Sequence, residues 1–362
     1  MAYLSDLALS IQPYIPGEQP KDMQYIKLNT NENPYPPSPK VAQVLNDMDP
    51  AAFRLYPPPE CEELRESIGK FYDVDKGCVY VANGSDELLS WCFPAFFTGK
   101  EPILINDITY SFYKVYAALF SVKTEVVPLN DDFSIPMEYY IGRNRGIIIA
   151  NPNAPTGQAI SLNEIEEIVR SNPDQVVIID EAYVDFGCES AVPLTKRYEN
   201  LLVVQTFSKS RSLAGLRCGF AIGSPLLIDG LSRIKNSLNS YTMDIVTLKL
   251  AKAAVEDADY FYETTAKVIS TRNRVSEKLR EAGFEFADST ANFLFVTHPK
   301  ITASVLFEKL RAQGILVRYF NLPRIDDYLR ITIGRDEQMD VLIQKLKDLL
   351  MNGRKYGTNS KS

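Results

Sequence analysis

A lysine flanked by hydroxyl side chains is the residue of this chain best suited to covalent chemistry. Lys209 lies in the segment Thr206-Phe-Ser-Lys-Ser, with Arg217 eight residues beyond it and Asp180 at the end of an apolar run upstream. Pyridoxal phosphate (PLP) needs a Schiff-base lysine, a cationic anchor for its phosphate and an acid at its pyridine nitrogen. The combination predicts a PLP site with Lys209 and Asp180 as catalytic residues.

The turn Asn83-Gly-Ser-Asp-Glu87 is a second candidate for phosphate binding. It opens a helical pattern, with Ser85 near the N-cap and acids in the first turn. Free backbone amides and the positive end of the helix dipole favour an anion at such a terminus, although plain helix capping uses the same residues. Arg217 would add a bidentate contact to the phosphate.

Two tyrosines lie where they could reach the ring of the cofactor. Tyr110 follows the apolar run at 102–106 and could stack on a heteroaromatic ring. Since the chain has 20 tyrosines, core packing is the default interpretation for any one of them. Tyr183 lies three residues after Asp180, close enough to reach the phenolic oxygen of the cofactor.

Two arginines near the C-terminus are candidates for an anion site. Arg330 starts the last apolar run, and Arg318 lies twelve residues before it. The planar fork of a guanidinium can hold either a carboxylate or a phosphate. A solvated surface arginine is the alternative interpretation for both residues, and for Arg318 above all.

Short apolar runs separated by helical patterns must position these side chains. Continuous β-branched runs are typical of strands buried on both faces of a mostly parallel sheet. Such runs occur at 102–106, 124–127, 146–150, 176–180, 201–205 and 219–222. Ser161-Leu-Asn-Glu164 is a capping box that opens one of the intervening helices. The alternation predicts an α/β fold, a mostly parallel sheet sandwiched by helices, with ligands at the carboxyl ends of its strands.

The C-terminal part of the chain predicts a smaller α+β domain. A helical stretch runs over 244–282, and strands at 291–296 and 328–333 enclose a helix over 302–313. We therefore expect four parts: an N-terminal arm over 1–30, a large PLP-binding domain over 31–255, a small C-terminal domain over 256–352 and a disordered polar tail over 353–362.

Composition narrows the class of protein. The net charge of −7 and the lack of a long Lys/Arg run argue against nucleic-acid binding, and no apolar stretch approaches the roughly 20 residues of a membrane span. Five scattered cysteines without a CxxC pair favour reduced thiols and a cytoplasmic location. A single histidine excludes a multi-histidine metal site, so we expect no metal.

Several motifs together resemble the fold-type I PLP-dependent aminotransferases, and within them the histidinol-phosphate aminotransferase group. The resemblance covers about residues 10–350. Its motifs are Leu28-Asn-Thr-Asn-Glu-Asn-Pro34, Arg54-Leu-Tyr-Pro57, Asn83-Gly-Ser-Asp-Glu87, Asp180-Glu-Ala-Tyr183, the segment Thr206 to Gly219, and Leu329-Arg-Ile-Thr-Ile-Gly334. The resemblance implies a ping-pong transfer of an amino group from L-histidinol phosphate to 2-oxoglutarate, within a homodimer that shares its active sites.

The resemblance also assigns roles around the cofactor. Lys209 would carry the cofactor and shuttle a proton, Asp180 would keep the pyridine nitrogen protonated, and Tyr183 would bond the phenolic oxygen. Tyr110 would stack on the ring. The cofactor-binding residues expected at the phosphate and beside it are Gly84, Ser85, Asp86, Ser208 (rather than Thr206) and Arg217, with Tyr56 supplied by the other subunit.

The substrate residues implied by the resemblance lie near both ends of the chain. Arg330 would bind the anionic end of either substrate, while Tyr14 and Arg318 would favour a phosphate ester. Asn31 is expected to contact substrate as well. One departure from the family pattern is Ala154, where an asparagine often precedes Pro-Thr-Gly. Alanine cannot donate to the phenolic oxygen, so we expect Asn153 to substitute.

Three other functions compete with this interpretation. The first is an aminotransferase for aromatic or other amino acids, and the second is a PLP decarboxylase of a phosphorylated amino acid. Formation of pyridoxamine phosphate marks transamination, whereas release of carbon dioxide marks decarboxylation. The third is a PLP-sensing regulator, which would need a DNA-binding domain for which the chain lacks both length and basic charge.

Overall fold

The computed structural model describes residues 3–15 and 17–356. Its helices are α1 (Asp6–Ser10), α2 (Pro39–Asn46), α3 (Glu62–Tyr72), α4 (Gly84–Cys92), α5 (Phe112–Leu119), α6 (Leu162–Ser171), α7 (Pro225–Leu238), α8 (Ile245–Val255), α9 (Ala258–Glu281), α10 (Ala303–Ala312) and α11 (Asp336–Tyr356). Its strands are β1 (Ile26–Lys27), β2 (Val79–Ala82), β3 (Ile103–Asn106), β4 (Thr124–Val127), β5 (Ile147–Ala150), β6 (Val177–Asp180), β7 (Leu201–Thr206), β8 (Gly219–Gly223), β9 (Phe293–Val296), β10 (Ile315–Leu316), β11 (Arg318–Tyr319) and β12 (Leu329–Thr332).

The largest sheet of the described residues has seven strands in the order β2-β8-β7-β6-β5-β3-β4. Neighbouring strands are parallel from β7 to β4, whereas β8 runs antiparallel to both β7 and β2. The α/β fold with a mostly parallel sheet is therefore confirmed, as are the strands expected from the six β-branched runs. Strand β2 (Val79–Ala82) was not among those expected from the sequence.

Both faces of this sheet are buried, as continuous apolar strands require. In β5, Ile147 and Ile149 pack into one hydrophobic cluster, while Ile148 and Ala150 pack into another on the opposite face. The same alternation recurs in β6 and β7. Helices must therefore cover both faces, and the polar carboxyl ends of the strands remain as the edge at which a ligand can bind.

The helix expected from the capping box at Ser161 is confirmed. Ser161 Oγ accepts from the backbone N–H of Glu164, and a Glu164 carboxylate oxygen accepts from the Ser161 N–H at 2.6 Å. The single helical stretch expected over 244–282 is wrong, because it consists of α8 and α9 with a break at Asp257. The carboxylate of Asp257 accepts from Ser38 Oγ and pairs with Lys40, which ties the break to the start of α2.

A third hydrophobic cluster surrounds the sheet β11-β12-β9, which is antiparallel and packs against α9, α10 and α11. Strand β1, from the expected N-terminal arm, pairs with β10 and so joins this part of the molecule. The strands expected at 291–296 and 328–333 and the helix expected over 302–313 are confirmed as β9, β12 and α10. The domain boundaries themselves stay a prediction.

Helix α11 continues through Tyr356, so the residues 353–356 that we expected in a disordered tail are helical. The remainder of that tail, 357–362, lies outside the described residues. Within the part of the chain that the structure describes, no helix is both long and apolar enough to cross a membrane.

Candidate active site

The residues expected to do chemistry meet at the carboxyl ends of the parallel strands. Asp180 is the last residue of β6, and Lys209 lies in the turn that follows β7. Tyr110 lies between β3 and α5, and Asn153 follows β5. Because the carboxyl ends of parallel strands share one edge of the sheet, four separate loops bring these side chains together.

Lys209 is half-buried, and its amine points toward the N-terminal segment of the chain. Its Nζ donates to the carbonyl of Thr30 at 3.2 Å and lies 5.7 Å from the centre of the Tyr183 ring. The neighbouring carbonyls of that segment also accept from side chains: Asn29 O from Arg330 at 3.1 Å and Asn31 O from Asn292 at 3.0 Å. Three consecutive backbone carbonyls thus hold three side chains from three distant parts of the chain.

Asp180 is a buried acid that no lysine or arginine neutralises among the described residues. One carboxylate oxygen accepts from Tyr113 Oη at 2.6 Å and the other from the Ala182 N–H at 3.2 Å. Burial raises the pKa of Asp180 to about 6, even though both hydrogen bonds act in the opposite direction. A cation placed against this carboxylate would gain a strong electrostatic interaction in a water-poor site.

A cradle for an anion lies at the N-terminus of α4. Gly84 has φ +89° and Gly219 lies against Ser85, so close that a Cβ at 219 would approach the Ser85 nitrogen to 2.4 Å. A Cβ at Gly84 would lie 2.8 Å from a guanidinium nitrogen of Arg217. The two glycines therefore let Arg217 and free helix amides approach the same point, the arrangement that binds phosphate.

Ser208, rather than Thr206, presents its hydroxyl to this cradle. Ser208 Oγ accepts from Arg217 at 3.3 Å. Thr206 Oγ1 is already occupied, since it accepts from the Ser208 N–H at 3.1 Å and donates to the carbonyl of Cys218 at 3.4 Å. The Thr206 hydroxyl shapes the turn, and the Ser208 hydroxyl faces the arginine.

Asp86 connects the phosphate cradle to the aromatic side of the site. One carboxylate oxygen accepts from Tyr110 Oη at 2.7 Å, and the other pairs with Arg217 at 2.9 Å. Asp86 therefore orients a ring and a cation at once. The sequence marked Asp86 as a cofactor residue but did not indicate this bridging contact.

The structure gives Asn153 a different set of partners from the one expected. Its amide nitrogen donates to the carbonyl of Ile108 at 3.0 Å and to Thr156 Oγ1 at 3.1 Å, while its buried oxygen has no partner. To serve the phenolic oxygen, Asn153 would have to release Thr156. Ala154 packs against Tyr183, Ala291 and Phe293, so the missing asparagine is replaced by an apolar contact.

Tyr183 is held by the N-terminal segment. Its hydroxyl accepts from Asn31 Nδ2 at 3.0 Å. Asn31 has φ +57° and is fixed in turn by Thr332, which donates to its side-chain oxygen at 2.9 Å. The Asn31 side chain thus lies at the site that the sequence predicted, but its contacts link Tyr183 to β12.

Arg318 and Arg330 converge on the opposite side of the site. Arg330 lies 5.4 Å from the Phe293 ring centre, and that ring lies 5.0 Å from the Tyr183 ring. Burial lowers the pKa of Arg330, and the charge of Arg318 acts in the same direction. Arg330 Nε is buried without a partner, and no acid pairs with either arginine among the described residues. Arg318 and Arg330 thus form a cationic pair without a protein counter-ion in the described part of the chain.

Tyr14 reaches the site from the N-terminal arm. Its ring stacks on Phe112 at 4.3 Å and lies 6.3 Å from the Tyr110 ring. The next residue, Ile15, accepts a hydrogen bond from Arg318 at 3.4 Å through its carbonyl. Tyr56 is the one expected site residue that does not join the others, since it is 81% exposed and stacks on Tyr241 at 4.6 Å.

Two parts of the site were missed by sequence reasoning. Tyr113, the hydroxyl donor to Asp180, lies one helical turn after Tyr110, and that spacing could have indicated it. The carbonyl contacts of residues 29–31 leave no side-chain signal, because any residue type supplies a carbonyl oxygen.

The residues present fit PLP. The buried, unneutralised carboxylate of Asp180 would take a protonated pyridine nitrogen, and the Gly84 cradle with Arg217 and Ser208 would take the phosphate. Lys209 would supply the amine and Tyr110 an aromatic face. The poorest match is Asn153, whose donor hydrogens already have partners.

Comparisons with known proteins agree with this reading. The chain matches the family model "Aminotransferase class I and II" over residues 23–346. The histidinol-phosphate aminotransferase of Clostridium beijerinckii is 51% identical over 353 residues, which are 98% of this chain and 99% of the relative.

Solved structures show the same fold. Histidinol-phosphate aminotransferase from Sinorhizobium meliloti, in complex with pyridoxal-5'-phosphate, has a TM-score of 0.87 at 22% identity, covering 97% of this chain and 98% of that one. L-threonine-O-3-phosphate decarboxylase from Porphyromonas gingivalis has a TM-score of 0.77 at 23% identity, covering 90% and 99%. The fold alone therefore does not separate transamination from decarboxylation. The chain belongs to the class I and II aminotransferases, a PLP-dependent family, so both the family and the cofactor expected from the sequence are confirmed.

Proposed function

We propose that this enzyme transfers the amino group of L-histidinol phosphate to 2-oxoglutarate, giving imidazole acetol phosphate and L-glutamate in histidine biosynthesis. The likeness to the Clostridium beijerinckii enzyme, 51% over almost the whole of both chains, supports this choice over other donors. The observation that carries it is the cationic pair of Arg318 and Arg330, which has no protein counter-ion among the described residues.

Two arginines suit this pair of substrates for a physical reason. The donor carries a phosphate ester where glutamate carries its α-carboxylate, and a guanidinium fork binds either anion. Arg330 would serve both half-reactions. Arg318 donates to the carbonyl of Ile15, the residue after Tyr14 in the arm. Arg318 and Tyr14 would contribute more to binding of the phosphate ester, because its greater negative charge interacts more strongly with a second cation.

PLP, when bound, supplies an aldehyde that accepts the amino group and a ring that withdraws electrons from the substrate Cα. Lys209 Nζ would hold the cofactor between turnovers and, once free, would remove the proton from the substrate Cα and return it on the cofactor side. The carbonyl of Thr30 orients that amine by a hydrogen bond. Because one positioned base performs both proton transfers, neither transfer depends on an encounter with a base from solution.

The remaining side chains would control charge and orientation. Asp180 would keep a proton on the pyridine nitrogen, and Tyr113 would hold the Asp180 carboxylate in place. Tyr183 would donate to the phenolic oxygen, with Asn31 fixing its hydroxyl. Gly84, Ser85, Ser208 and Arg217 would anchor the phosphate, and Asp86 would keep Arg217 and Tyr110 aligned.

The same proposal includes a homodimer in the cytoplasm. Tyr56 is exposed in the single chain, as are its neighbours Phe53 and Leu55 and its stacking partner Tyr241. An apolar, aromatic surface of this kind is typical of an interface, and Tyr56 would then reach the partner's phosphate site. All five cysteines are free, which fits a reducing compartment.

Single-turnover spectroscopy with a small donor panel tests the function. L-Histidinol phosphate should convert the bound cofactor to pyridoxamine phosphate faster than aromatic or aspartate-like amino acids do, and 2-oxoglutarate should reverse the change. Release of carbon dioxide from a phosphorylated amino acid, without pyridoxamine phosphate, would instead identify a decarboxylase. Faster conversion by another amino acid would reassign the donor.

A further inference from the structure

The loop between β11 and β12 contacts the core of the large sheet through the polar side chain of Arg324 and the buried apolar side chain of Ile325. Arg324, at its tip, pairs with Asp107 at 2.7 Å and donates to the carbonyls of Leu129 and Asn130 at 2.8 and 2.9 Å. Residues 321–324 are all exposed, and Ile325 is the one buried residue within 321–327. Arg324 therefore supplies most of the loop's polar anchorage.

The acceptor of this contact is itself rigid. The second oxygen of Asp107 accepts from the backbone N–H groups of Ile108 at 2.8 Å and Leu129 at 2.9 Å. These bonds join the end of β3 to the segment after β4. Asp107 lies three residues before Tyr110, so the same short stretch carries the anchor for the loop and the aromatic face of the site.

An aromatic contact accompanies the ion pair. Phe133, in the turn after β4, lies 5.2 Å from the Tyr328 ring and 5.8 Å from the Phe295 ring, and those two rings stack on each other at 4.7 Å. The Arg324 guanidinium lies 5.9 Å from the centre of the Phe133 ring. Phe133 thus packs edge-on against a ring of β9 and against the ring that precedes β12.

Both contact residues have a backbone conformation that side chains disfavour. Arg324 has φ +71° and Phe133 has φ +65°. Non-glycine residues persist in the left-handed region only where surrounding contacts offset its cost, and such positions cluster at functional sites. The two strained positions meet each other across the contact between the loop and the large sheet.

We propose that Arg324, Asp107 and Phe133 form a latch, and that Arg324 is a positioning residue for substrate binding. The latch holds β11 and β12, and with them Arg318 and Arg330, at a fixed distance from Tyr110 and Lys209. The inference rests on the proposed function in one respect, that the two arginines bind the substrate anions. Small displacements of such groups reduce binding and rate steeply.

Arg324→Ala tests the latch, with Arg280→Ala as the matched control. Arg280 also forms an exposed ion pair at 2.6 Å, with Asp288, and also lies over an aromatic ring, that of Phe286 at 4.6 Å, but neither contact involves a residue of the site. Arg324→Ala should raise KM for both substrates about tenfold with kcat changed less than about threefold, because saturating substrate draws the arginines back into place. Arg280→Ala should leave both constants unchanged.

Two further measurements separate positioning from general destabilisation. Hydrogen exchange of the amides in 315–332 should accelerate in Arg324→Ala holoenzyme and remain as in wild type in Arg280→Ala. Arg324→Lys should recover part of KM, since a lysine can pair with Asp107 but cannot also reach both carbonyls. The double variant with Asp107→Asn should be no worse than Arg324→Ala alone, because both remove one interaction.

The outcomes distinguish the latch from the arginine site on which it rests. If Arg330→Ala raises KM while Arg324→Ala does not, the latch is wrong and the arginine site stands. If neither variant raises KM for the substrates that the wild type turns over, the arginine site fails and the latch fails with it. A KM raised equally by Arg280→Ala would also overturn the latch, because any lost ion pair would then have the same effect.

Discussion

Arg318 and Arg330 are direct partners across the antiparallel strands β11 and β12. Like charges directly opposite each other destabilise a sheet, and no acid among the described residues pairs with either one. Both arginines carry an energetic cost: the half-buried Arg330 has a buried Nε without a partner, and Arg318 places a second positive charge beside it. A bound anion would relieve both costs at once.

We therefore expect Arg330→Ala to slow both half-reactions and Arg318→Ala to slow mainly the L-histidinol phosphate half. A charge-assisted hydrogen bond contributes about 1.5–3 kcal/mol, so the loss should be roughly 10- to 100-fold in kcat/KM. Stopped-flow absorbance of the bound cofactor measures each half-reaction separately. An equal loss with glutamate for Arg318→Ala would refute the division of roles.

Lys209 should carry the cofactor covalently. Borohydride reduction followed by peptide mapping should find the pyridoxyl group on Lys209 alone. Lys235 is an internal control, because it is even more buried than Lys209 and its Nζ also donates to a backbone carbonyl, that of Pro59. Lys209→Ala should lower kcat by roughly 10²- to 10⁴-fold through loss of the base. Label on any other lysine would invalidate the site assignment.

Gly84→Ala should weaken binding of the cofactor about tenfold or more, because its Cβ would displace Arg217 from the phosphate cradle. Gly99→Ala is the matched control: Gly99 also has a positive φ, +75°, but its Cβ would meet nothing within 4 Å. Both variants should lose about 1–2 kcal/mol of stability from backbone strain. Titration of cofactor-free protein with PLP separates them, and equal affinities would contradict the cradle.

The stability of the cofactor-free enzyme should depend on pH through Asp180. Burial raises the pKa of Asp180 from its ordinary 3.8 to about 6, so between these values the folded chain binds more protons than the unfolded chain. Its contribution to the free energy of unfolding therefore falls as pH rises through this window.

Asp180→Asn should flatten that fall between about pH 4 and 6. Part of the pH dependence should remain, because burial raises the pKa of Glu181 to about 7 with the same sign. Urea unfolding at a series of pH values provides the measurement. Parallel curves for the variant and the wild type would mean that Asp180 is not perturbed in the folded state.

Mixing experiments test the shared site. A heterodimer of Lys209→Ala and Tyr56→Ala chains places both lesions in one active site and leaves the other wild-type, if Tyr56 serves the partner's cofactor. Co-refolded mixtures should regain full-affinity activity that neither homodimer shows. Verified heterodimers as impaired as their parents would assign Tyr56 to its own subunit.

The gathering of Asp180, Lys209 and Tyr110 could be predicted from the sequence, because β-branched runs specify parallel strands and such strands share a polar edge. The reversal of β8 and the pairing of Arg318 with Arg330 could not. Strand register depends on turn geometry and on packing between elements, neither of which the local pattern records.

Tertiary contacts between distant residues were equally beyond the sequence. The pairing of Arg324 with Asp107 joins residues 217 positions apart, and nothing in the local sequence distinguishes either residue from an ordinary charged surface residue. Tyr113 is an intermediate case, since its helical spacing from Tyr110 was visible but its partner was not. Sequence patterns specify elements well and the contacts between elements poorly.

The hydrogen bonds to the carbonyls of residues 29–31 have a consequence for the order in which the enzyme folds during its synthesis. The carbonyl of Asn29 accepts from Arg330, which lies 301 residues further along the chain, and the carbonyl of Asn31 accepts from Asn292. Domains generally fold as they leave the ribosome, N-terminal part first, and long-range contacts form slowly. The contacts of residues 29–31 must therefore form late in biosynthesis, because Asn292 and Arg330 are synthesised long after the segment whose carbonyls accept from them.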